Sequence, residues 1–172
     1  MKKLLIVIVL LLSVFIITGC EEEKEKISLV DPVFGYETVF KYDKKDNFSN
    51  IKKDDSGVSK SITFENKDLD VEFQMYYTRL LKKSYDISKE TRSKQKYYKE
   101  YKFGKYEAYA YGESSSGLYL NILLGVDKTE TAKALFVSID RIDSNQNIVV
   151  GEVLDKYLIK FFNTIEVMEV DA

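Results

Sequence analysis

The first twenty residues constrain this chain most, because they separate a targeting segment from the part that must fold in water. Lys2 and Lys3 form a short positive region, and an almost unbroken apolar stretch follows over 4–17. This stretch is shorter than the roughly 20 residues of a membrane-spanning helix, and the chain turns acidic at 21–23. The sequence therefore predicts a signal peptide at 1–19.

The end of the apolar stretch contains the only cysteine of the chain. Ile17-Thr18-Gly19-Cys20 resembles the bacterial lipobox, which has an aliphatic residue, two small residues and then cysteine. The resemblance implies that a diacylglycerol group is attached to Cys20 and that cleavage occurs between Gly19 and Cys20. Two acyl chains hold a protein far more firmly than one. We therefore expect a lipid-anchored protein on the extracytoplasmic face of the cell membrane; an uncleaved single-span anchor is the alternative.

Charge and cysteine usage narrow the possible partners. Loss of Lys2 and Lys3 leaves 24 basic residues against 28 acidic ones, so the mature chain is mildly acidic. This balance argues against a nucleic-acid partner, which requires a basic surface to neutralise phosphates. With Cys20 acylated, no thiol remains for a disulfide, and packing must stabilise the fold. Abundant Lys, Ile, Asn and Tyr are typical of a Gram-positive source.

The mature part is long enough for one domain of about 150 residues. The charged stretch 21–26 contains no apolar residue and indicates a solvated tether. The expected organisation is a lipidated cysteine with its tether at 20–30 and a single folded domain at 31–172.

Period-2 alternation and β-branched or aromatic runs dominate the middle of the chain. Gly104-Lys105 is expected to form a hairpin turn, and the polar stretch 43–60 is expected to be a loop. The predicted strands cover 38–42, 61–65, 69–75, 97–103, 106–111, 118–126, 134–140 and 165–170.

Two segments predict helices. The stretch 84–96 has only two apolar residues before Tyr97, so a helix there would be mostly solvated. The tail has apolar residues at spacings of three and four, typical of an amphipathic helix. These residues are Val150, Val153, Leu154, Tyr157, Leu158, Phe161 and Phe162. The expected fold class is therefore α+β, an antiparallel β-sheet with helices packed on it.

The order of these elements resembles the PsbP-like family, which includes many small bacterial lipoproteins. Two stretches carry the resemblance: "FGKYEAYAY" at 103–111 is similar to the family's glycine turn, and "YLIKFFNTIEVM" at 157–168 is similar to its closing helix and strand. The resemblance implies an α/β/α sandwich used as a binding or assembly module, usually without catalysis.

Catalytic and metal-binding residue types are scarce. The chain has no histidine, so a Ser-His-Asp triad or a histidine-based metal site cannot form. "GESSSG" at 112–117 has Ser116 where a nucleophile elbow needs glycine, and Ser93-Lys94-Gln95-Lys96 lacks the partner motifs of a serine–lysine hydrolase. We expect no enzyme activity, no cofactor and no metal.

Acidic residues alternate at the start of one predicted strand. Asp68, Asp70 and Glu72 at period 2 could bind Ca²⁺ weakly through oxygen ligands. An ordinary solvated strand face explains the same pattern.

The predicted strands 97–103, 106–111 and 118–126 are rich in tyrosine, and we call them the tyrosine-rich hairpin; they and their turn contain the candidate binding residues. Tyr109, Tyr111 and Tyr119 with Lys105 could form a ligand-facing patch beside the loop 112–117. The alternative is that the tyrosines pack as cross-strand pairs and cover the core. The functional hypothesis is a non-catalytic interaction or assembly module at the cell surface, with a protein partner in the cell envelope; the alternative is a small-ligand or solute-binding lipoprotein.

Overall fold

The computed structural model of the protein describes residues 24–31, 35–54, 60–143 and 149–169. The expected signal peptide and the lipidation site at Gly19 and Cys20 lie outside these ranges. Of the described residues, 59% lie in strands and 20% are helical, so the domain is mostly β.

The described ranges contain ten strands, which form two sheets. All strand pairs are antiparallel. The small sheet has the order β1-β2-β10, and the large sheet has the order β3-β4-β5-β9-β8-β7-β6. The strands are β1 (Glu25–Asp31), β2 (Tyr36–Tyr42), β3 (Phe48–Asp54), β4 (Ser61–Asn66), β5 (Val71–Leu81), β6 (Tyr97–Phe103), β7 (Tyr106–Glu113), β8 (Gly117–Val126), β9 (Thr131–Arg141) and β10 (Glu166–Glu169).

The described helical residues are few. Helix α1 (Lys82–Arg92) follows β5 directly, and a 3₁₀ turn (Lys44–Asp46) precedes β3. Near the C-terminus, α2 (Val150–Val153) and α3 (Ile159–Phe162) flank a π turn (Leu154–Leu158). We call this continuous stretch the C-terminal helical segment.

The main core lies between the two sheets. Alternate residues of the large sheet, such as Phe73 and Leu120, face the small sheet and are fully buried. Phe40 of β2 stacks on Phe161 at 5.0 Å between ring centres, and Phe162 lies 5.4 Å from Phe103 of β6. The small sheet and the C-terminal helical segment therefore cover the inner face of the large sheet, burying apolar area that stabilises the fold.

The expected α+β fold is wrong, as is the α/β/α sandwich implied by the PsbP-like resemblance. Two facing sheets make the domain a β-sandwich. The stretch expected to be a tether contains β1, with Ile27 and Leu29 buried in the core. The stretch expected to be a loop contains β3, which is an exposed edge strand rich in charged residues. Charged side chains on an edge strand hinder pairing with other molecules and so prevent aggregation. The sequence of such a strand therefore resembles that of a loop.

The structure confirms that most of the residues on the predicted C-terminal amphipathic face are buried. Leu158 and Phe161 are 1% and 5% exposed, whereas Tyr157 is 57% exposed and does not face the core. The π turn explains this difference, because Tyr157 lies within it and the wider turn rotates this residue away from the position it would have on an α-helical face.

Candidate functional site

The outer face of the large sheet is only partly covered. Helix α1 lies on this face and buries Tyr85 against Tyr109, with 5.7 Å between ring centres. Ala132 and Ala134 of β9 are fully buried in the same cluster. The small side chains leave room for the helix, so α1 closes this part of the face.

The sequence-predicted tyrosine patch is divided between covered and open surface. Tyr109 and Tyr111 are only 2% and 7% exposed, whereas Tyr119 is 43% exposed. Lys105 lies in the β6–β7 turn, with its ammonium group 5.3 Å from the ring centre of Tyr106, whose side chain belongs to the main core. The structure therefore brings Tyr111 and Tyr119 together and places Tyr109 under α1. Lys105 instead lies beside Tyr106, whose side chain is on the opposite face of the large sheet.

Four aromatic rings cross the outer face, starting from the covered Tyr111. Tyr111 of β7 lies 5.4 Å from Tyr119 of β8, which lies 5.5 Å from Phe136 of β9, and Phe136 lies 4.8 Å from Tyr76 of β5. Tyr76 and Phe136 are partly exposed. We call these four residues the aromatic row, and the part of the outer face around Tyr76, Phe136 and Tyr119 the open face.

The sequence could have indicated only part of the aromatic row. Tyr76 and Phe136 lie 60 positions apart in the chain, and only the pairing of β5 with β9 makes them neighbours. Apolar and polar residues alternate along their strands, but no local signal determines which strands pair with each other. The tyrosine-rich hairpin therefore drew attention to one end of the row and missed the other.

A cation already stacks on the covered end of the row. The guanidinium carbon of Arg92, the last residue of α1, lies 4.8 Å from the ring centre of Tyr111. Burial raises the pKa of the Tyr111 phenol, and the positive charge of Arg92 opposes that shift. Arg92 also lies at the helix C-terminus, where the backbone dipole favours a positive charge. Stacking and helix dipole thus favour the same position for this side chain.

Carboxylates border the open face on one side. The strand register places Glu72 of β5 opposite both Glu65 of β4 and Asp140 of β9. Asp140 lies in turn opposite Gly117, which pairs with Glu113. A Cβ atom added at residue 117 would lie 2.3 Å from Oδ1 of Asp140. Only glycine therefore leaves enough space for this carboxylate. The result is a strip of negative side chains beside the aromatic row.

An open cleft joins the strip to the row. Gln95 and Lys96, which follow α1, line it together with Tyr119 and Asp140. The Ser138 hydroxyl donates a hydrogen bond to the Asp140 carboxylate and orients it. Because Glu113 also lines the cleft, it offers an aromatic ring, two carboxylates, an amide and one ammonium group to a ligand lying along the sheet.

Two other clefts are smaller. One of 170 Å³ lies between the sheets and contains the ion pair of Arg79 with Asp31 at 2.5 Å. The other, of 290 Å³, is lined by Phe48, Leu69 and the exposed Tyr157. Both fall below the roughly 300–1,000 Å³ of typical small-molecule pockets.

The acidic and serine motifs are placed apart from one another. Asp68 accepts a hydrogen bond from the Asn47 amide at 2.8 Å, whereas Asp70 is buried and accepts from the backbone N–H of Asp143. These two residues belong to the turn before β5, so they do not share a strand face with Glu72. Within the described ranges, no group of three metal-ligating side chains converges. The Ser93 hydroxyl donates to the Glu90 carbonyl at the end of α1.

A hydrogen-bonded cluster that the sequence did not reveal fixes the C-terminal helical segment. The Tyr101 hydroxyl of β6 donates to Asp155 in the π turn at 2.7 Å, and the Lys99 ammonium donates to the same carboxylate at 2.8 Å. Burial alone would raise the pKa of Asp155, but these two hydrogen bonds lower it below its ordinary value. The cluster therefore holds the π turn against the edge of the large sheet.

No known protein family, curated protein or solved structure matches this chain. None of the helices in the described ranges is long and apolar enough to cross a membrane.

Proposed function

We propose that this protein is a membrane-tethered, non-catalytic binding module that holds a partner of the cell envelope on the open face. The observation that carries the proposal is the aromatic row, which α1 covers at Tyr111 and leaves accessible at Tyr119. Exposed aromatic rings on a rigid sheet supply large contact area at low entropic cost.

The shape of the open face favours a large partner over a small ligand. The rings of Tyr119, Phe136 and Tyr76 lie side by side across three strands instead of enclosing a volume. Small ligands are usually held in concave pockets that bury most of their surface. A flat aromatic surface instead resembles the centre of a protein interface, where tyrosine and arginine contribute most of the binding energy.

The residue inventory supports a role without catalysis. The chain has no histidine, and its only thiol is the expected lipidation site. A carboxylate or lysine acting as a general base near neutral pH would need a strongly shifted pKa. The pKa of Asp155 is instead lowered, so this carboxylate stays ionised and is a weak base.

The tether follows from the lipobox-like sequence. Cys20 precedes the first described residue, Lys24, by four positions, which span at most about 14 Å. Lipid on Cys20 would therefore hold the domain close to the membrane. Replacement of Cys20 by Ser should abolish labelling by a clickable fatty acid and leave the precursor uncut. Equal labelling of the variant and the natural chain would refute the anchor.

Partner capture tests the binding role. The full chain is recovered from crosslinked membranes, and the captured partner is compared between Tyr119→Ala and Tyr157→Ala. Both tyrosines are exposed, but only Tyr119 belongs to the aromatic row. We expect Tyr119→Ala to lose the partner and Tyr157→Ala to retain it. Retention by both variants would exclude the open face as the binding surface.

A further inference from the structure

We infer that the open face binds an arginine- or lysine-rich segment of a protein partner, with the cationic side chains stacked on Tyr119, Phe136 and Tyr76. This inference rests on the proposed function, because it names the chemistry of the partner that the open face holds.

The covered end of the aromatic row shows how a cation can bind there. Arg92 stacks on Tyr111 at 4.8 Å, so the row already holds one guanidinium group within the domain. A cation over an aromatic ring is attracted by the negative face of the ring, and the attraction grows when water is excluded. Tyr119 lies next to Tyr111 at 5.4 Å and is open. A cation from another chain can therefore continue the arrangement that Arg92 begins.

The charges around the aromatic row also favour a basic ligand. The side chains of Glu72, Asp140 and Glu113 are exposed and border the row, and Glu65 completes the strip. Nearby cations are Arg92, which is stacked on Tyr111, Lys96 in the cleft, and Lys52 of β3, which the register places on the same face opposite Thr63. Negative charge therefore exceeds positive charge along this side of the row. Such a surface attracts a basic segment and repels an acidic one.

The register between rings and carboxylates suits side chains that carry both an apolar stem and a charge. Ser138 of β9 lies opposite Tyr119, and Asp140 follows two positions along the same face. An arginine can lay its stem and planar guanidinium on the Tyr119 ring while donating hydrogen bonds to Asp140. A sugar ring could also stack on tyrosine, but it gains nothing from the excess of negative charge.

A tryptophan reporter gives a direct test, because the chain contains no tryptophan. Tyr119→Trp keeps an aromatic ring in the row and reports on it alone, while Tyr157→Trp places the same reporter on an exposed site of the C-terminal helical segment. The detergent-solubilised full chain is titrated with a deca-arginine peptide at low and physiological salt. We expect saturable quenching of the reporter at 119, weaker at higher salt, and little change at 157.

Two variants separate ring stacking from bulk charge. The double variant Glu72→Gln with Asp140→Asn, in the Tyr119→Trp background, should bind the peptide about tenfold more weakly, since charge pairing is lost while the rings remain. Tyr119→Ala, measured by calorimetry, should weaken binding about three- to tenfold although every carboxylate is kept. Unchanged affinity in Tyr119→Ala would show non-specific charge attraction and overturn the inference.

The same titration distinguishes a basic peptide ligand from a glycan ligand. Saturable quenching by a β-linked N-acetylglucosamine oligomer with no response to the arginine peptide would overturn the inference in favour of a glycan. If Tyr119→Ala loses the membrane partner but the arginine peptide does not bind, the binding face stands and the ligand class is wrong. If Tyr119→Ala also retains the membrane partner, the proposed function fails as well.

Discussion

The guanidinium group of Arg92 stacks on the ring of Tyr111, with 4.8 Å between the guanidinium carbon and the ring centre. This contact lies where α1 ends, so it marks the boundary between the covered and the open parts of the outer face. On one side Tyr109 is sealed beneath the helix, and on the other Tyr119 is exposed. The tyrosines of the hairpin thus divide into packing residues and accessible residues, and the two classes respond differently to mutation.

Tyr109→Ala is expected to destabilise the domain by about 3–5 kcal/mol, because it removes a buried ring from beneath α1. Tyr119→Ala should change the free energy of unfolding by less than about 1 kcal/mol, since its ring is 43% exposed. Urea denaturation followed by circular dichroism measures both changes. Equal losses would mean that α1 does not cover Tyr109 as the structure shows.

Docking of the C-terminal helical segment is tested by truncating its buried side chains. Leu158→Ala and Phe161→Ala should each cost about 2–5 kcal/mol, because both side chains are packed in the main core. Lys156→Ala should cost little, since Lys156 is exposed and pairs with Glu152 one turn away. Small and similar effects at the three positions would contradict the docking of this segment.

The Asp155 cluster predicts a pH dependence. The pKa of Asp155 is lowered in the folded state, so its stabilising contribution is present above the ordinary pKa of about 3.9 and is lost as pH falls through the lower folded value. Asp155→Asn should therefore destabilise the domain at neutral pH, and the difference from the natural chain should shrink below about pH 4. Unfolding free energies at several pH values measure this difference. A difference that grows on acidification would contradict the assignment.

Gly112 has a backbone conformation that other residues rarely adopt. Its φ is +136°, and an added Cβ would lie 2.9 Å from the carbonyl oxygen of Gly117. Gly112→Ala should therefore destabilise the domain by about 1–3 kcal/mol. Gly125→Ala is the matched control, because an added Cβ there meets no atom within 4 Å. Melting temperatures compare the two, and an equal loss would show that this strain is not decisive.

The sequence predicted individual elements better than their arrangement. Alternation revealed β4, β5 and β8, and Gly104 occupies the β6–β7 turn with a positive φ of 58°. The strands that were missed, β1 and β3, carry charged residues where they face water: β1 is exposed at its start, and β3 is exposed on both sides over its last five residues. Without them, the small sheet lost an edge strand, and a β-sandwich was mistaken for helices packed on one sheet.

The candidate site shows the same limit. The tyrosine-rich hairpin drew attention to Tyr119, which is exposed, but local sequence could not show that α1 covers Tyr109. Phe136 and Tyr76 join the aromatic row through pairing between distant strands. Such pairing depends on the whole fold, so half of the row could be recognised only in the structure.

The most direct test of the central claim places a photo-crosslinking group on the open face in living cells. Phe136, in the middle of the aromatic row, is replaced by benzoylphenylalanine in the full chain, and Tyr157 is replaced in the same way as a control. We expect one dominant crosslinked adduct with an envelope protein when the group is at position 136. We expect no adduct with that protein when the group is at position 157. The same adduct from both positions, or an adduct from position 157 alone, would contradict binding through the open face.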